Sequence, residues 1–434
     1  MKLNLFYSIA LVASTSISAF AQNTDENGYS TVNLSLKQNY YERAYFNFDN
    51  GAIENRRAKN WDIAFYRGKE VGTRLNDMNG MSAYLVSNDI SDWDKIGNAE
   101  DIVAGKEKEA LYNPNETDKV YNGALQQVKW WEEKENTIKG NKIFIIKHNY
   151  SQYPEYRKFM IEERSEKGDY LIKYAFWTGA GINEWGATRT FTIPKGEGKA
   201  LFDYYQFYKH STRERDLIIN NAEPNDTTWD LMFERYHLND IGLYAVGAVQ
   251  NLNLRVAKHT DETQATVKFD EPKESEFSDM ITTIGHDWKN FDSNSFQFIL
   301  KDRYVYYVKK GANYYRMYFT RMSGSVTGNL SFKYKNITEE LGVQDLNKKA
   351  DFGIYPNPTV DKKATLLFDV KEKDNNKGTA ELYDFSGKKV YETTLSNQTG
   401  LYKKEINLQS LSTGTYILKV SYGGASQTRK IIVK

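Results

Sequence analysis

Apolar and polar residues alternate at a period of two through much of the chain, the pattern of strands with one buried face. Thr31-Val32-Asn33-Leu34-Ser35-Leu36 is the first clear case, and Ala44-Tyr45-Phe46-Asn47-Phe48 is the next. Asp49-Asn50-Gly51 then reads as a turn. Ile143-Phe144-Ile145-Ile146, Tyr156 to Ile161 and Tyr170 to Tyr174 read as a second block of strands. The stretch between these blocks is less regular. Its charged segment, residues 100–109, predicts a helical turn or an exposed loop.

One element of this pattern occurs twice. Asn60-Trp61-Asp62-Ile63-Ala64-Phe65-Tyr66-Arg67 returns as Thr228-Trp229-Asp230-Leu231-Met232-Phe233-Glu234-Arg235. Four further blocks repeat in the same order. Tyr204 to Phe207 echoes Tyr45 to Phe48, and Tyr304 to Val308 echoes Ile143 to Lys147. Tyr315 to Phe319 echoes Tyr156 to Met160, and Leu330 to Tyr334 echoes Tyr170 to Tyr174. The offset stays at about 160 residues. Five matched blocks in order predict a duplicated module, and two copies are too few for a solenoid, so each is expected to fold as its own domain. Asp62 and Asp230 each follow a Trp at a core position, which fits a structural hydrogen bond better than an acid catalyst.

The predicted class is all-β, with two tandem β-rich domains at residues 22–195 and 196–337, a charged linker at 338–350, and a C-terminal domain at 351–434. In that last segment short strands recur at about ten-residue spacing between turn signals, which reads as a small β-sandwich. The first residues read as a targeting segment. Met1-Lys2 is a positive start, an apolar run follows, and Ala19-Phe20-Ala21 has the small-x-small form of a signal peptidase site, so 1–21 is the predicted signal peptide.

Composition narrows the function classes. With 58 basic and 57 acidic residues the net charge is +1, which argues against nucleic acid as a partner. Cys is absent, so disulfides, thiolate metal sites and a Cys nucleophile are excluded. The chain has no Gly-rich phosphate loop, no His-Glu-x-x-His helix and no Gly-x-Ser-x-Gly elbow, and no enzymatic step is expected.

The C-terminal segment resembles the sorting domain of the type IX secretion system of Bacteroidota. The resemblance rests on Tyr355-Pro356-Asn357-Pro358, then Leu382-Tyr383-Asp384-Phe385-Ser386-Gly387-Lys388, then Leu411 to Val420 and the basic, apolar end Arg429 to Lys434. It implies Sec export, transfer across the outer membrane by the type IX machinery, and release or attachment at the outer-membrane surface.

The duplicated modules resemble the HmuY-like family of haem-binding proteins. The resemblance is carried by Trp61 to Phe65 and Trp229 to Phe233. The second copy adds Ile284-Gly285-His286-Asp287-Trp288-Lys289, Tyr304 to Lys309, Tyr314 to Phe319 and Gly328 to Tyr334. It implies an all-β fold that grips haem between loops and acts by binding. Haem iron takes one or two axial donors, typically His, Met or Tyr. The five histidines are His148, His210, His237, His259 and His286. His286 and Met280 are the candidate axial ligands in the second module, and Met78 and Met81 in the first. No metal beyond haem iron is expected. His148 and His210 lie in polar stretches and read as surface residues. A glycan-binding surface, or an adhesive or structural module without haem, is the alternative.

Overall fold

The computed structural model describes residues 24–135, 137–149, 154–179, 185–198, 200–207, 217–218, 222–225, 228–265 and 272–434. The predicted signal segment and His210 lie outside them. The chain is mostly β-sheet, as its alternation predicts. It divides into two compact units. The first holds residues through 335 apart from two short segments, and the second holds 336–434 with those segments.

In the first copy the strands are β1 (Ser30–Ser35), β2 (Glu42–Phe46), β3 (Ile53–Arg57), β4 (Ile63–Tyr66), β5 (Thr73–Leu75) and β6 (Ser82–Ser87). After α1 (Ala99–Gly105) come β7 (Trp131–Lys134), β8 (Thr137–Gly140), β9 (Ile143–His148), β10 (Glu155–Arg164) and β11 (Tyr170–Phe176). The second copy begins with β12 (Arg189–Ile193), β13 (Phe202–Gln206), β14 (Leu217–Ile218), β15 (Leu231–Leu238), β16 (Leu243–Gln250) and β17 (Leu254–His259). It continues with the hairpin β18 (Lys289–Asp292) and β19 (Gln297–Leu300), then β20 (Val305–Lys310), β21 (Asn313–Met322) and β22 (Asn329–Asn336).

The two copies do not close on themselves. Strand β1 pairs with β22 of the other copy, while β12 pairs with β11. Hairpin β2–β3 adds to β15–β16 in the order β16-β15-β2-β3, and β13–β14 adds to β4–β5 in the order β14-β13-β4-β5. The registers match: Ile63 faces Tyr205 as Leu231 faces Phe46, and Ala64 faces Tyr204 as Met232 faces Tyr45. Each copy therefore lends its first three strands to the other. The expected pair of self-contained tandem domains divided at 195/196 is replaced by one interleaved unit. The physical reason is that both copies present near-identical strand edges, so a borrowed arm satisfies the same backbone hydrogen bonds and apolar face as the copy's own arm.

Three cores result. One fills the first copy's sheets, with Ile63, Phe65, Met81, Phe144, Phe159 and the borrowed Tyr205 and Phe207. In the second copy, the borrowed Phe46 packs edge-on against Phe332 and Tyr334, Phe233 stacks on Phe332, and Trp288 stacks on Phe319 at 3.7 Å. Between the two exchanged sheets lies a third cluster that includes Tyr45, Trp61, Tyr204, Trp229, Met232 and Tyr236. Its two halves mirror each other: Trp61 meets Tyr204 at 5.0 Å and Trp229 meets Tyr45 at 5.2 Å.

The second unit opens with α2 (Thr338–Lys349), where a linker was expected. Glu339 and Glu340 in its first turn complement the helix dipole, and its Leu346 is part of the sandwich core. A β-sandwich follows. Strands β23 (Ala350–Val360), β24 (Lys363–Val370) and β27 (Gly400–Asn407) form one sheet. The other runs β26 (Lys389–Leu395), β25 (Gly378–Tyr383), β28 (Gly414–Tyr422) and β29 (Ala425–Val433). Asn357 links β23 to β29: its Nδ2 donates to Lys430 O at 2.8 Å and its Oδ1 accepts from Ile432 N at 2.9 Å. Pro356 and Pro358 on either side have no N–H to offer, so the amide side chain supplies the bridging bonds. Among the described residues no helix is long and apolar enough to cross a membrane.

Candidate functional site

The repeated Trp-Asp pair forms a corner that anchors the exchanged arms. Asp62 N–H donates to Tyr205 O at 2.6 Å, and its Oδ2 accepts from Phe207 N–H at 2.8 Å. Asp230 does the same to the other arm, donating to Phe46 O at 2.7 Å and accepting from Phe48 N–H at 2.7 Å. An Asn amide then holds each Trp carbonyl: Asn76 Nδ2 on Trp61 O at 2.7 Å and Asn251 Nδ2 on Trp229 O at 2.9 Å. Both aspartates are buried and committed to backbone, as a structural role requires.

The last residue of the neighbouring strand faces each carboxylate. In the second copy Lys310 Nζ reaches Asp230 at 3.0 Å. In the first, His148 at the end of β9 places Nε2 3.4 Å from Asp62 Oδ1. His148 is thus buried, and its expected surface position is corrected: the polar residues after it mark the strand's end, and its own ring sits under the Trp-Asp corner. Burial, with the Arg157 guanidinium nearby, pushes its pKa down to about 3. Burial pushes Asp62 up to about 6, against the opposing pull of Arg157.

Where the exchanged sheets face each other they enclose a cavity of about 30 Å³, room for roughly two waters. Its lining includes Arg43, Trp61, Arg74, Glu223, Trp229 and Glu234. Arg43 lies over the Trp61, Tyr204 and Tyr45 rings at 5.1, 5.3 and 5.7 Å, and its Nη1 is 3.5 Å from Glu234. Glu223 accepts from Tyr204 OH and Leu201 N–H. Burial pushes its pKa up to about 7. Arg43 Nε, Trp61 Nε1 and Trp229 Nε1 have no partner among the described residues, so water in this cavity would supply the missing acceptors. The sequence signals only the two tryptophans; the charged partners Arg43, Arg74, Glu223 and Glu234 are spread along the chain from β2 to β15 and do not read as one group.

The four candidate ligands fall in different settings. Met81 is fully buried in the first copy's core beside Ile63 and Phe65. Met78 is buried in the short turn Asp77–Asn79, its N–H held by Asn76 Oδ1 at 2.9 Å. Neither borders the cavity. Met280 is 39% exposed in the loop after β17, where its carbonyl accepts from Thr283 Oγ1 at 2.7 Å. His286 is half-buried further along the same loop, its ring 6.3 Å from Tyr236. Burial, aided by the Lys289 ammonium, holds its pKa below the ordinary histidine value. No hydrogen bond reaches its ring among the described residues. The remaining described histidines are engaged. His237 bonds Asn239 Oδ1 at 2.8 Å and stacks on Tyr112, and His259 contacts Glu262 at 3.2 Å and Glu276 at 3.6 Å. Among the described residues no three His, Asp or Glu side chains group as a metal site.

A β-rich unit of exchanged repeats followed by a small sandwich is the class these features define. Residues 353–434 match the family model described as the secretion system C-terminal sorting domain. The chain is therefore exported by the type IX system to the cell surface or the medium, and its sorting domain engages that machinery. No curated protein matches the chain.

Proposed function

We propose that the first unit is a non-enzymatic surface binding module that captures haem or a related porphyrin, with His286 as axial donor. The observation that carries this reading is the state of that imidazole. It is half-buried, its pKa is held below the ordinary histidine value, and among the described residues no hydrogen bond reaches its ring, so a ring nitrogen keeps a lone pair for iron. Export to the cell surface and the likeness of the second copy to HmuY-like proteins support the same reading. Met280, exposed in the same loop, is the second donor in this scheme. Met78 and Met81 take no part in it, because a ligand would reach them only by opening the core.

The test is a titration of the purified chain with haemin, followed by absorption spectroscopy. The expected result is a shifted Soret band that weakens strongly in His286→Ala and moves in Met280→Ala. An unchanged haemin spectrum at excess protein ends the proposal. A second reading, adhesion without haem, is favoured by the β18–β19 hairpin. There Phe291, Phe296 and Ile299 are 56%, 79% and 57% exposed. Under that reading Phe291→Ser with Phe296→Ser abolishes attachment to the target surface, and His286→Ala leaves it intact.

A further inference from the structure

The sorting domain must be read from outside, because the inner faces of both its sheets are consumed by the core. Its two outer faces differ in how far their apolar residues are exposed: on the four-stranded sheet Tyr383, Ile417 and Ile432 are half-buried. On the four-stranded sheet the charges satisfy one another: Lys389 Nζ lies 3.1 Å from Glu381 and 2.7 Å from Glu392, and Tyr383 OH donates to Glu381 at 3.0 Å. On the three-stranded sheet an apolar stripe crosses all three strands. Tyr355 on β23 stands opposite Thr365, and Leu401 on β27 stands opposite Asp369. Leu367 lies between those two β24 positions on the same face. Tyr355, Leu367 and Leu401 therefore form one straight diagonal, at the spacing where cross-strand side chains touch. Tyr355 is 47% and Leu401 63% exposed, and Leu367 is half-buried. Gly353, directly opposite Leu367, leaves open space beside it, since a Cβ there would meet nothing within 4 Å. Acidic and basic residues, Asp369, Glu405, Lys363 and Lys403, border the stripe on the same face.

We propose that this stripe is the surface by which the type IX machinery recognises the chain, taking an apolar segment of a machinery polypeptide across Leu367 and Leu401. The occupant follows from the sorting-domain match, which supplies one partner for these residues, and from the contrast of faces. An apolar diagonal with a mixed-charge border has the form of a specific protein contact, with an apolar centre and a polar rim. On the opposite face Lys389, Glu381 and Glu392 pair with one another, and the apolar residues Tyr383, Ile417 and Ile432 are half-buried rather than exposed.

The experiment follows export of the full chain in a cell that has a type IX system. The probe is the double variant Leu367→Lys with Leu401→Lys, and Thr394→Lys on the opposite outer face is the control. Export of the double variant is expected to fall to the level of a chain lacking residues 353–434, with Thr394→Lys exported as wild type and all purified chains melting alike. Wild-type export of the double variant overturns the proposal. So does a purified wild-type dimer that the double variant converts to monomer without changing export, since the stripe would then serve a second copy. Should the double variant melt early, Leu401→Gln decides alone: lost export with unchanged melting supports the proposal, and retained export refutes it.

Discussion

Burying a histidine beside an aspartate fixes the charge of both. At His148 the folded pKa is about 3 against an ordinary 6.5, so the native state binds fewer protons than the unfolded chain between those values. Its contribution is intact above 6.5 and is lost as pH falls towards 3. Asp62 works in the opposite sense. Its pKa is raised from 3.8 to about 6, so its contribution is present below 3.8 and lost as pH rises through 6. The two partly cancel between pH 4 and 6. Replacing His148 by Gln removes only the first effect. The stability of His148→Gln relative to wild type should then improve by about 2 kcal/mol between pH 6.5 and 5, at ~1.4 kcal/mol per pH unit for one proton. Denaturant titrations of both proteins at the two pH values measure this; a difference that does not change with pH would place the His148 proton elsewhere. The sequence could not reveal this burial. Period-two alternation tells which residues share a face, but where both faces of a strand are covered it does not say which polar residue is inside. The same blindness put Met78 and Met81 among the ligand candidates, though the fold uses them as packing.

Individual strands were legible because the pattern that defines them is local. Val32 and Leu34 are buried while Thr31 and Asn33 are exposed, as their alternation predicts. The duplication was legible too, since Trp61-Asp62 and Trp229-Asp230 sit in equivalent corners. Pairing was not. An edge of β15 is satisfied equally by β2 or by its copy β13, and the choice is made by the path of the connecting chain, which has no local signature. The helix over Thr338–Lys349 reads as a charged linker for a related reason: its many charged residues outweigh the pattern of Leu341 and Leu346, which the fold buries. The corner aspartates give this element a direct test. Asp230→Ala removes the acceptor for Phe48 N–H and strips Lys310 of a buried partner. The expected cost is ~2–4 kcal/mol, a buried hydrogen bond plus a half-orphaned charge. Asp230→Asn, which keeps an acceptor for the N–H, should cost less. Equal losses in the two variants, read from denaturant melts, would show that the carboxylate's charge rather than the arm bond is what matters.

Across the first unit, the exchange makes the two copies one cooperative object. Strands β1, β2 and β3 bury Phe46 and Phe48 in the second copy's core, and β12 and β13 bury Tyr205 and Phe207 in the first copy's. Separating the copies would therefore strip both cores and break the backbone ladders β1–β22, β2–β15, β4–β13 and β11–β12. Each of those four aromatics alone is worth ~3–5 kcal/mol when truncated in a packed core. Together they reach or exceed the total stability of an ordinary domain. The connection between β12 and β13 is a suitable place to ask the question. Gly198 is exposed with φ +94°, and a Cβ there would meet nothing within 4 Å, so a protease site inserted after it should leave both arms undisturbed. The cleaved protein should elute from a sizing column as one species at the mass of the intact chain and melt in one transition over the first unit. The fragments should come apart only in denaturant, since β1, β2 and β3 of the N-terminal fragment stay paired in the second copy, and β13 and β14 of the C-terminal fragment stay paired in the first. Two tandem domains joined by a linker would behave differently, separating on cleavage and melting independently. Co-elution that persists in the double variant Phe46→Ala, Phe207→Ala, which weakens both borrowed arms, would mean that the contact between the exchanged sheets holds the halves together without the arms.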